Sequence, residues 1–175
     1  MREFEMTQTS SVALQLNTDL REGFVAYTYF LSSDFVAYTY SLSSDVAMVS
    51  PFVDHLMRLI NGLRVTDGTE VDIEVALREA LLNAIIHGNR EDPSKHVYLT
   101  ILCDANGEVS TVIRDEGVGF ESSSIPDPTA PEHRMSTHGR GIYLMRALMD
   151  EVSFEEGGTV VYMRKGRSSH PYRSQ

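Results

Sequence analysis

Between residues 71 and 115 the hydrophobic period changes abruptly, and that change limits the fold more than any other feature of the chain. VDIEVALREALLNAIIHGN sets Ile73, Leu77, Leu81 and Ile85 four apart, the repeat of one helix face. The spacing predicts a helix from about Asp72 to His87, with Gly88 as its C-terminal stop. VYLTILCD and VSTVIRD follow, alternating around an Ala-Asn-Gly-Glu turn. A period of two on both sides of a turn predicts a β-hairpin. A helix with one apolar face and a hairpin with another cover each other, which is the α+β solution.

The flanking segments extend this pattern. DVAMVSPFVDHLMRLINGL carries Val49, Phe52, Val53, Leu56, Met57 and Ile60 at helical spacing, with Pro51 suited to a first turn and a regular part starting at Ser50. GIYLMRALMDEV predicts a third helix, and EVSFEE with GTVVYMRK a second hairpin around Gly157-Gly158. The sum is three helices and four to six strands, with one sheet carrying helices on one face. The residues from 116 to 138 are rich in Ser, Pro, Gly and Thr; a loop of that length inside a domain is usually functional or mobile. Residues 1–23 read as an arm, with one alternating patch at VALQL, and 166–175 as a flexible tail. A chain of 175 residues suits one domain.

FVAYTYFLSSD and FVAYTYSLSSD stand in tandem over residues 24–45 and differ only at Phe30 and Ser41. Each reads as one strand and one turn. The surplus copy has three physical outcomes: a hairpin with the second copy, displacement of it, or pairing with another chain. A disordered passenger is the remaining alternative.

A net charge of −10 gives no general attraction to nucleic acid or an anionic membrane. It leaves room for a local phosphate site built from backbone N–H groups and a metal ion. The single Cys103 excludes an internal disulfide and fits a reducing compartment. No apolar run approaches the roughly 20 residues of a membrane span, and the N-terminus lacks a signal-peptide core. The expected location is the cytoplasm.

Four short motifs can carry chemistry. Glu79, Asn83 and His87 lie four apart on one helix stripe; a Glu can serve as general base and an Asn oxygen can hold Mg²⁺. The plain alternative is the wet side of an amphipathic helix. RDEGVGF ends a strand at Asp115 and follows with Gly117 and Gly119. A carboxylate there can accept from an amino group, and glycines let backbone pass a flat ring; the alternative is an ordinary turn. HGRGIYLM sets Gly139 and Gly141 around Arg140 at a helix start, a generic anion site or only a loop-to-helix junction. Thr159 opens the last strand in GGTVVYM, a position where Thr is often only a good β former.

The order of these motifs resembles the GHKL ATPase superfamily, which includes gyrase and the histidine kinases. REALLNAIIHGN, DEGVGF and HGRGIYLMRALMDEV are closer still to the bacterial anti-sigma-factor serine kinases, with the likeness running over about residues 35–165. The resemblance implies a Bergerat-type sandwich: a mixed, mostly antiparallel sheet with three helices on one face. It implies a kinase domain over 46–165 behind a tandem-duplicated edge strand at 24–45.

It also implies roles. Glu79 would be the catalytic base and Asn83 the Mg²⁺ ligand. Asp115 would read the adenine amino group, with Gly117 and Gly119 shaping its pocket. Gly139 and Gly141 would meet the phosphates of ATP. Thr159 would back Asp115, and Arg140 could add charge to the phosphates. The implied partners are a STAS-type anti-anti-sigma protein, a sigma factor and a second copy in a homodimer, with no nucleic acid and no membrane. Two alternatives stand beside this: a kinase that switches a STAS regulator without meeting a sigma factor, and an ATP-dependent binding module with weak catalysis.

Overall fold

The computed structural model describes residues 13–17, 24–32, 35–63, 68–119 and 140–167. Strands β1 (Ala13–Asn17), β2 (Phe24–Ser32), β3 (Phe35–Ser43), β4 (His96–Asp104), β5 (Val109–Asp115), β6 (Glu151–Glu155) and β7 (Val160–Lys165) form one sheet. Its order is β1-β2-β3-β4-β5-β7-β6. All six pairings among the described residues are antiparallel, where a mixed, mostly antiparallel sheet was expected. The seventh strand arises because both copies of the repeat, and the VALQL patch, pair in the same sheet.

Helix α1 (Val49–Leu63) buries Val49, Phe52, Val53, Leu56, Met57 and Ile60, the set its spacing predicts. A short 3-10 turn, Val46–Met48, leads into it, capped by Asp45 whose side chain accepts from Ala47 N–H. Helix α2 (Glu70–Leu82) buries Ile73, Leu77 and Leu81, and Ile85 follows in the next turn. That next turn, Asn83–Gly88, is π-helical, a widening that the four-residue repeat did not anticipate. Helix α3 (Arg140–Leu148) ends earlier than its apolar pattern suggests, because Glu151 and Val152 already belong to β6.

The core lies between the helices and one sheet face. Val97, Leu99, Ile101 and Cys103 point inward from β4, and their neighbours alternate outward. Burial pushes the Cys103 thiol up to about 12, with Asp104 adding to the shift; it behaves as a core residue. Phe24, the first residue of the first copy, is 2% exposed and packs on Tyr40, Phe52 and His55. Lys165 on β7 ties to Asp72 in the first turn of α2 at 2.9 Å, fastening helix to sheet.

The two copies pair with each other as antiparallel strands, Phe24 opposite Leu42 through Phe30 opposite Val36. Of the three outcomes for the repeat, the hairpin is the one seen. The second copy takes the place beside β4. Among the described strands neither copy is the edge of the sheet; β1 and β6 are.

Candidate nucleotide site

Two clusters stand along the α2 helix and its π-helical extension. At the first, Glu79 and Asn83 come from successive turns, and the Asn83 N–H donates to the carbonyls of Glu79 and Ala80. The first turn of α3 closes on them. A methyl group on Gly141 would lie 2.6 Å from Glu79 Oε2 and 3.3 Å from Asn83 Nδ2. Only a glycine lets the α3 backbone approach the carboxylate so closely. An electropositive helix start is thereby set beside an acid and an amide. Arg140 opens α3 and is exposed. Gly139 lies outside the described residues.

At the second cluster, β5 ends at Asp115. Gly117 N–H donates to Asp115 Oδ1 at 2.8 Å, and Asp115 N–H donates to the Thr159 carbonyl at 3.0 Å. Gly88, at the end of the π-turn, rests on the carboxylate: a methyl there would meet Oδ2 at 2.5 Å and Oδ1 at 2.6 Å. A methyl on Gly117 would meet Gly88 in turn. Burial raises the Asp115 carboxyl above the ordinary range, while the Gly117 N–H and nearby Lys95 pull it back. Gly119, at φ +75°, passes Gly157 and Thr159, where a methyl would lie 3.3 Å from Thr159 Cγ2.

Asp115, Gly117, Gly119 and Thr159 are therefore brought together, as are Glu79, Asn83 and Gly141. Thr159 differs in detail from a hydroxyl that backs the acid. Its Oγ1 donates to the Glu156 carbonyl at 3.0 Å, inside its own turn, and only its backbone reaches Asp115. Arg114 holds the same turn through Glu156, with both N–H···O distances 2.6 Å. His87 is exposed at the helix end.

Two residues of this site escaped the sequence reading. Gly88 looked like a helix stop, and nothing local says that a carboxylate lies against it. Asn89 follows it, is 0% exposed, and bonds three separate segments. A polar residue just past a helix-ending glycine is ordinarily exposed, so its composition carried no signal.

A single antiparallel sheet covered by three helices, with an acid-and-amide helix facing a strand-end aspartate, defines the sandwich of a nucleotide-binding ATPase domain. Residues 42–165 match the family described as histidine kinase-like ATPase domain, and the chain belongs to that family, in its anti-sigma factor branch. It is 34% identical over 127 residues to the anti-sigma F factor of Geobacillus thermodenitrificans, covering 69% of this chain and 75% of the relative. It is 38% identical over 101 residues to the anti-sigma F factor of Geobacillus stearothermophilus, covering 54% and 67%. Among the described residues no helix is long and apolar enough to cross a membrane.

Proposed function

We propose that this chain is a cytoplasmic, ATP-dependent serine/threonine protein kinase and anti-sigma factor that phosphorylates a STAS-type anti-anti-sigma partner. One observation carries the reading: a single helical run brings Glu79, Asn83 and Gly141 together at one point and sets Gly88 on Asp115 at another. From residue 79 to 88 such a run covers about 13 Å, room for a nucleoside triphosphate laid along it.

The residues present fit MgATP. Gly88 and Gly117 let the helix end and the strand exit close on the Asp115 carboxylate, which fixes its position. Asp115 is an acceptor for an exocyclic amino group. Among the described residues no three His, Cys, Asp or Glu side chains group to hold a metal; Mg²⁺ commonly takes one or two protein oxygens and completes its shell with phosphates and water. Asn83 Oδ1 is the protein oxygen assigned to it.

MgATP supplies the γ-phosphoryl group and neutralises its developing charge. Glu79 would accept the proton of the partner's serine as that oxygen bonds to the γ-phosphorus, the bond from that phosphorus to the β–γ bridging oxygen breaks, and ADP leaves. The N–H groups at the start of α3 and the Arg140 guanidinium face the phosphates. Asp115 orients the base. Phosphorylation releases the STAS partner; the free kinase then binds a sigma factor and silences it. A homodimer is the assembly assigned to it.

The test is phosphoryl transfer. The tagged chain is purified from its own cells with its bound proteins and given γ-labelled MgATP. Acid-stable label on a small co-purifying protein is expected, reduced by about 10²-fold or more in Glu79→Ala. ATP binding without label on any protein would replace the kinase with an ATP-dependent binding module. Acid-labile label on the chain itself would point to a histidine-kinase relative.

A further inference from the structure

We propose that Asn89 is a positioning residue for base recognition: it locks the strand exit carrying Asp115 to the end of the helix carrying Glu79 and Asn83. This rests on the nucleotide reading above. The Asn89 side chain is wholly buried. Its Nδ2 donates to Ser44 Oγ at 2.6 Å and to the His96 carbonyl at 2.8 Å. Its Oδ1 accepts the Glu116 N–H at 2.7 Å. Its own N–H donates to the Ala84 carbonyl at 2.8 Å, closing the π-turn. Both amide donors and the amide oxygen are thus engaged, each by a different segment: the end of β3, the start of β4 and the exit of β5.

Glu116 extends the clasp. Its carboxylate accepts the His96 N–H at 2.7 Å and the Tyr98 hydroxyl at 3.1 Å, and both contacts hold its carboxyl below the ordinary range. Residue 116 is therefore held by backbone and side chain alike. Its neighbours Asp115 and Gly117 inherit that fixity. On the other side, Gly88 precedes Asn89 and lies on the Asp115 carboxylate. Asn89 accordingly sets the gap between helix end and carboxylate.

The requirement is for an amide. An Asp at this position would offer oxygens toward the His96 carbonyl, an acceptor facing acceptors. An Ala would leave the part-buried Glu116 N–H and His96 carbonyl without their Asn89 partner. In either variant the Asp115–Gly117 segment loses its reference to the helix, whereas Glu79, Asn83 and Gly141 meet each other without Asn89. The effect belongs on base selection: adenine presents an amino donor where guanine presents a carbonyl acceptor, so a misplaced Asp115 discriminates less.

The experiment compares the full chain with Asn89→Ala, Asn89→Asp and the milder Ser44→Ala, measuring KM and kcat for ATP and GTP, with circular dichroism to score folding. For Asn89→Ala, the expected result is an ATP KM raised about tenfold, an ATP-over-GTP preference reduced by a similar factor, and kcat at saturating ATP changed much less. Ser44→Ala moves the same quantities in the same direction by about two- to threefold, and it decides the matter if the Asn89 variants do not fold. Unchanged KM and unchanged base preference in folded variants would overturn the positioning role while leaving the kinase reading intact. A wild-type chain that uses neither nucleotide would overturn both.

Discussion

Asp115 shows how much one half-buried carboxylate commits a site. Burial penalises its charged form, so its folded pKa stands above the unfolded value. Such a group's contribution to stability is fully present below the unfolded pKa and is lost as pH rises through the folded one. At neutral pH the ionised Asp115 therefore works against folding, and Asp115→Asn should melt at the same temperature as the wild type or higher. The same variant should bind ATP at least about tenfold more weakly, because an amide can turn a donor toward the adenine amino group. Wild-type affinity should fall as pH drops through the raised Asp115 value, while the variant's stays flat. Calorimetry on both proteins across that acid range checks the sign; a variant that binds as well as wild type would remove Asp115 from the base site. Asp115 was legible because it ends an alternating strand before Gly-x-Gly. Gly88 was not, since its partner is 27 positions away.

At the scale of elements, the repeat is governed by parity. Eleven is odd, and side chains alternate along a strand with a period of two. Register sets Tyr27 opposite Thr39 but Thr28 opposite Tyr38, so equivalent positions of the two copies fall on opposite faces of the sheet. Phe24 opposes Leu42, and both are buried on the core side. The one substitution between the copies agrees with this: Phe30 stands opposite Val36 and Ser41 opposite Val25. Phe24 fills the aromatic cluster over α1, so Phe24→Ala should cost about 3 kcal/mol of stability. A chemical-denaturation midpoint unchanged by that variant would show the first copy to be dispensable to the core. The π-turn belongs to this scale as well. The i, i+4 stripe gathered Glu79 and Asn83, and widening sets in at Asn83 itself, on the way to Gly88 and Asn89, which meet the sheet.

The whole molecule separates the first copy of the repeat from the site. Strands β3 and β4 stand between β2 and β5, which at the usual spacing puts the first copy roughly 14 Å from the strand ending in Asp115. Deleting residues 24–34 should therefore leave ATP affinity within about twofold, as expected for separated sites. It should change oligomeric mass or the grip on a protein partner, because β1 would have to find a new neighbour or leave an edge open. Light scattering and partner titration on the deletion variant would refute this if both matched the parent. By itself the sequence determined the helices and the two downstream hairpins, because hydrophobic period and turn chemistry act over a few neighbouring positions. Only the tertiary structure decided that the two copies close on each other, that Gly88 lies against Asp115, and that Asn89 joins Ser44 and Glu116, which are 45 and 27 positions away. Those contacts depend on which faces the folded chain brings together, and no local period encodes that.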